Sequence, residues 1–99
     1  MEASIVVARR FGANLRTARG RAGLSQEQLG FRAGLHRTEI GLLERGARVP
    51  RIDTLLKLAG ALGIRIDCAL LDSMSWTPSL GERPQGTLSV SGSRWSGDA

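Results

Sequence analysis

At 99 residues the chain is long enough for one small domain with a compact core, and that excludes a large catalytic cleft. Fourteen Lys and Arg against nine Asp and Glu give a formal charge of +5; with Lys57 the single lysine, the excess is arginine, the cation suited to phosphates and guanine edges. One cysteine, Cys68, excludes an internal disulfide and a multi-cysteine metal site. Apolar residues 5–8 are too short a run for a signal-peptide core, and nothing nears the ~18 residues of a membrane span, so a cytoplasmic protein without membrane, metal or cofactor is expected. The basic excess belongs to residues 1–72, with twelve basic and seven acidic side chains, whereas residues 73–99 balance at two of each.

In chain order, Phe11, Leu15, Ala18 and Ala22 recur at helical spacing, which predicts a first amphipathic helix ending at Gly23. Ser25 followed by Gln28 is a capping box that opens a second helix, with Leu29 and Ala33 inward and Gly34 as its stop. A third short helix is expected from about residue 37 to 45, closed by Gly46, with Ile40 and Leu43 inward. Pro50 is read as the start of a fourth, whose Ile52, Leu55, Leu56, Ala59 and Leu62 make a wide apolar face up to Gly63. Ile64 and Ile66 return to the core, and Asp67 is expected to cap a short fifth helix ending at Leu71.

Beyond Asp72 the composition changes. Seven serines, four glycines and two prolines among the last 27 residues fit a disordered tail. Yet "SMSWT" and "TLSVS" alternate apolar and polar residues around a Pro/Gly-rich connection, which fits a hairpin over about 73–91 equally well. An isolated ribbon is marginal in water, so a hairpin would have to lie on the helices or on a second subunit; residues beyond Gly92 are expected to be loose. The division expected is a helical domain, 1–72, and a tail, 73–99.

Two short helices meeting at "RAGLHR" around a glycine have the form of a helix-turn-helix. Over residues 11–71, "GLSQEQLGFRAGLHRTEIGLLERGARVPRIDTLLKLAGALGI" resembles the phage-repressor and Cro-type helix-turn-helix family, the XRE family, through "GLSQ" opening helix two, Gly34 in the turn, "I..LERG" ending helix three, Pro50 and "TLLKLAGALGI". The resemblance implies an all-α, five-helix lambda-repressor-like bundle, with the C-terminal hairpin as an addition. It also implies a transcriptional regulator, not an enzyme, that binds palindromic operator DNA as a homodimer.

On the residues themselves, the N-terminal end of helix three is where bases are met. Arg37 can fork onto guanine, Thr38 can bond a base or touch a thymine methyl, and Leu42 can either meet a methyl or simply pack. The resemblance places Gln26 at a phosphate, beside the helix-two N-terminus, and Arg45, Arg48 and Arg51 read as phosphate clamps. It also pairs Arg19 with Glu44 as a structural lock. His36 stands where the family often has a serine cap; imidazole caps poorly, so approach to a phosphate or base is the other reading. Gly30 and Gly41 depart from the family pattern, and each costs helix stability against alanine; Gly41 either admits close approach to DNA or means only a weaker helix. Ile66, Leu70, Leu71, Met74 and Trp76 are the expected dimer surface.

Three functions follow from different premises: a dimeric repressor, activator or restriction-modification controller; an antitoxin that represses its own operon and grips a toxin through a tail folding on binding; or an interaction module that lost DNA readout. The basic and polar face speaks against the third. Trp76 and Trp95 are the anchors the second would use, against the favoured reading that Trp76 simply packs on the domain.

Overall fold

The computed structural model describes residues 3–81, 85–90 and 96–98. Four α-helices, α1 (Ala3–Arg21), α2 (Gln26–Ala33), α3 (Arg37–Glu44) and α4 (Ile52–Leu62), are followed by a π-helical turn, Ile66–Leu70, and an antiparallel sheet of β1 (Met74–Pro78), β2 (Gly86–Val90) and β3 (Ser96–Asp98), in that order across the sheet. Among the described residues no helix is long and apolar enough to cross a membrane.

The helical core is built from fully buried Phe11, Leu15, Leu29, Ile40, Leu43, Leu58 and Leu70. Of the inward residues expected of helices two and three, Leu29, Ile40 and Leu43 are among these seven and Ala33 is buried beside them. α1 starts eight residues before the expected stripe, because Val6 and Ala8 also find partners, and at its other end Ala22 is exposed rather than inward. On α4 the apolar face is narrower than expected. Leu58 takes the core position and Ala59 is buried, with Leu55 and Leu62 half-buried, while Ile52 and Leu56 are 77% and 61% exposed. Pro50 lies outside this helix; Arg51 is its N-cap residue, without a side-chain cap bond.

Caps follow local chemistry. In the α2 box, the Gln28 N–H donates to Ser25 Oγ (3.0 Å) and the Ser25 N–H to Gln28 Oε1 (2.8 Å), satisfying two donors the helix start leaves open. Gly34 ends α2 in the left-handed region (φ 70°), where a residue with a Cβ is strained. At Gly30 close approach is the reason for glycine: an added Cβ would stand 2.5 Å from the Leu35 carbonyl oxygen.

The fifth helix differs from expectation. It is π-helical and has Arg65, not Asp67, as N-cap residue; Asp67 Oδ1 accepts the Cys68 N–H at 2.9 Å from inside the first turn. Asn14 Nδ2 donates to the Leu70 and Asp72 carbonyls, both at 3.0 Å, and so ties the exit of this turn to α1.

Of the two readings of the tail, the hairpin is the one found. Met74 pairs with Val90, Trp76 with Leu88 and Pro78 with Gly86. Leu88 and Val90 form a second core with Val6 of α1, and Met74 packs against both cores. The marginal ribbon is stabilised by the first turns of α1. The expected loose end is corrected for Ser96–Asp98, which pairs with β2; Trp95 lies outside the described residues.

Candidate nucleic-acid interface

α3 is held by its ends and sides while Arg37 and Thr38 at its start face solvent. At the C-terminal end, Arg19 Nε donates to Glu44 Oε2 (2.6 Å) and Nη2 to Oε1 (3.0 Å); Nη1 donates to the Leu24 carbonyl (2.9 Å). Gln26 Nε2 donates to the same Glu44 Oε1 (3.2 Å), so one carboxylate gathers α1, α2 and α3. The Glu44 side chain is 4% exposed and that of Arg19 18%. Hydrogen bonding to Glu44 holds the Arg19 guanidinium above even the ordinary arginine range, against the opposing effect of burial. The backbones are also in contact: a Cβ at Gly12 of α1 would collide with the Leu43 and Glu44 carbonyls. Gly46, left-handed at φ 72°, then turns the chain out of α3 against Arg9.

At the N-terminal end His36 is the cap after all. Its Nδ1 accepts the Thr38 N–H at 3.1 Å and lies 2.9 Å from Thr38 Oγ1, so imidazole, though a poorer cap than serine, fills the capping role here; Nε2 takes no part in the cap. Arg37 and Thr38 are exposed, and Leu42 is half-buried beyond them on the same short helix.

The basic residues around α3 are mostly engaged by neighbouring carboxylates. Arg37 lies 3.7 Å from Glu27, Arg48 2.9 Å from Glu39 and Arg51 3.2 Å from Asp53. These carboxylates occupy the first turns of α2, α3 and α4, where the helix dipole favours negative charge. Exposed pairs of this kind contribute only about 0–1 kcal/mol each, so an incoming phosphate can replace the carboxylate at little cost. Arg45 is exposed, and its Nη1 would lie 3.4 Å from a Cβ at Gly41, with Gln26 Oε1 at 3.6 Å. The space beside Gly41 is therefore occupied by the protein's own polar groups.

Among the described residues no group of three or more His, Cys, Asp or Glu is arranged to hold a metal ion. What the site presents is a short rigid helix end with exposed Arg37 and Thr38, flanked by an arginine-bearing loop.

That geometry has relatives. A sequence profile for the helix-turn-helix family matches residues 15–67, more than half of the chain. The chain belongs to the helix-turn-helix family. Its type is that of the XRE-like DNA-binding transcriptional regulators. It is 41% identical over 56 residues to control protein C.BamHI of Bacillus amyloliquefaciens, covering 56% of this chain and 69% of that one. Over 53 residues it is 47% identical to control protein C.SmaI of Serratia marcescens, covering 54% and 63%. In structure it resembles the restriction-modification controller protein C.AhdI of Aeromonas hydrophila, at a TM-score of 0.57 and 46% identity over 59% of this chain and 88% of that one. The sheet after Asp72 lies beyond the matched profile.

The expected dimer surface needs correction on this helix-turn-helix protein. Leu70 is fully buried within the monomer and cannot face a partner. Ile66 and Met74 are half-buried because they pack on the protein's own cores, so little of either remains to offer. Leu71 and Trp76 stay exposed, at 36% and 49%, although the Trp76 ring also covers Gly86. Sequence reading missed the outward Ile52 and Leu56. The available signal was an α4 apolar face wider than one small core can cover.

Proposed function

We propose that this helix-turn-helix protein is a controller-type transcriptional regulator that binds a palindromic operator as a homodimer. Arg37, Thr38 and Leu42 would read bases in the major groove, with His36 Nε2 beside them. Gln26, Arg45, Arg48 and Arg51 would hold phosphates, and Arg19 and Glu44 set the angle of the reading helix. The observation that carries this reading is the three-helix lock on Glu44, which fixes the back of α3 while Arg37 and Thr38 stay exposed at its front. Preorganised base readers do not spend binding energy on ordering themselves.

The dimer reading draws on exposed apolar surface. Ile52 and Leu56 are one turn apart on α4 and open to solvent, and Leu71 is a third exposed leucine-type residue after the π-turn. A second copy covering Ile52, Leu56 and Leu71, with Trp76 at the rim, would set two α3 helices in successive major grooves about 34–36 Å apart. The likeness to named control proteins supports a role near restriction-modification genes. The antitoxin alternative gains little support, because the hairpin it would use as a folding tail already spends Leu88 and Val90 on Val6.

The test is selection of duplexes from a random pool, followed by a titration of the recovered sequence. A two-fold symmetric site bound by two protomers, with affinity falling steeply as salt rises, is expected. Recovery of no duplex at low salt refutes the assignment.

A further inference from the structure

The helix that supplies the protein's charge is not the one expected to read DNA. α1 carries five arginines and no acidic residue, whereas the arginines around α3 largely face carboxylates. Of the five, only Arg19 has a carboxylate partner among the described residues, and Arg10 is half-buried with its Nε enclosed. Arg9 and Arg16 are exposed. Seven residues apart, they fall on one side of the helix, about 20° short of two full turns.

That side is placed by contacts on α3. Gly46, at the start of the loop bearing Arg48 and Arg51, packs directly on Arg9: a Cβ there would stand 2.9 Å from Arg9 Cα and 3.0 Å from its Cγ. One turn further on, Gly12 touches the end of α3, and Arg19 reaches Glu44, which also holds Gln26. By helical position Arg9 and Arg16 therefore lie beside the contact line between α1 and the end of α3, the first against Gly46 of the basic loop and the second one turn before Arg19.

Resting on the functional reading above, we propose that Arg9 and Arg16 are phosphate-binding residues, so that α1 extends the DNA-backbone contact surface of Gln26 and the loop. Their role is to position and hold the duplex, not to choose its sequence. Guanidinium groups with no carboxylate partner among the described residues give up no ion pair there to meet a phosphate, so they add to affinity directly.

The experiment is fluorescence anisotropy of a labelled random-sequence duplex across a salt series, with wild type, Arg9→Ala, Arg16→Ala, Arg9→Lys and Arg65→Ala. Arg65 is the charge control, since it lies beyond the far end of α4, whose eleven residues span roughly 16 Å from the loop side. Melting followed by circular dichroism checks that each variant is folded, and Arg16→Gln stands in if either alanine variant melts early. Arg9→Ala and Arg16→Ala are each expected to reduce the slope of log affinity against log salt by about one, with Arg9→Lys and Arg65→Ala keeping the wild-type slope. Wild-type binding with unchanged slopes in both alanine variants, or an equal loss in Arg65→Ala, overturns this assignment alone. Wild type that binds no duplex overturns the functional reading beneath it.

Discussion

Arg19 and Glu44, 25 residues apart in the chain, meet through two near-parallel hydrogen bonds of 2.6 and 3.0 Å, and the orientation of α3 hangs on them. Two-pronged guanidinium–carboxylate geometry fixes direction as well as distance, so α3 cannot roll without breaking both bonds. Gln26 on the same carboxylate oxygen adds α2 to the joint.

Glu44→Ala should therefore destabilise the protein by about 3 kcal/mol, the low end of the range for breaking a buried pair, because Arg19 keeps 18% of its side chain in water. Glu44→Gln keeps one acceptor and should fall between. Chemical denaturation measures both, and a midpoint unchanged in Glu44→Ala would show the lock to be dispensable.

Gly41→Ala should stabilise the fold by about 0.5–1 kcal/mol, since a helical glycine is replaced where the new methyl meets only the flexible end of Arg45 and the Gln26 amide oxygen. Duplex affinity should hold, because that space is already filled by the protein itself. Higher thermal stability with lost binding would instead mean that the DNA comes close at Gly41. Gly30→Ala, facing the Leu35 carbonyl, should destabilise.

Arg37 and Arg48 should separate specificity from affinity. Arg37→Ala is expected to weaken selected-site binding and flatten preference at one base pair per half-site, at about 1–3 kcal/mol of discrimination. Arg48→Ala should weaken selected and scrambled duplexes alike, with a salt slope lower by about one. Binding of both variants to both duplexes at two salt concentrations decides it. Equal losses on the two duplexes for Arg37→Ala would remove that residue from base reading.

Leu56→Asp should convert the proposed dimer to monomer, since it puts a charge into the apolar stripe that a second copy would cover. The monomer should stay folded, as Leu56 is already 61% exposed. Sedimentation velocity distinguishes the states, and an intact dimer would move the seam away from α4.

Asp67 provides a pH dependence of known sign. Hydrogen bonds from Arg65 at 3.2 and 3.1 Å, then the Cys68 N–H, hold its carboxyl below the usual carboxylate range. A depressed carboxyl contributes stability above its unfolded-state pKa, and that contribution is lost as pH falls through the lower folded-state value. Arg65→Ala should raise the Asp67 titration midpoint seen by NMR toward the ordinary range, and its small stability deficit at neutral pH should vanish in acid. The pair is open to solvent, so the deficit should also shrink with salt.

What the sequence by itself determined is local. The capping box at Ser25, the left-handed stop at Gly34, the third helix between His36 and Gly46 and the pairing of Arg19 with Glu44 all follow from fixed short spacings or from a motif holding both partners in register. Tertiary structure decided what local pattern leaves open. Apolar periodicity marks Ile52, Leu55, Leu56, Ala59 and Leu62 alike, but a small core has room for only some of them; packing geometry put Ala59 inward, left Ile52 and Leu56 outward and gave the central position to Leu58, which the stripe had left out. The Ser/Gly/Pro-rich tail suits disorder as well as strands until Val6 supplies an apolar surface for Leu88 and Val90, a contact more than eighty residues distant in sequence that no window of the chain contains. The charge of α1 was countable from the start; that Arg9 and Arg16 lie beside the contact line with the end of α3 follows from helical position and from the backbone contacts of Gly12 and Gly46, where only the absence of a side chain lets the elements touch.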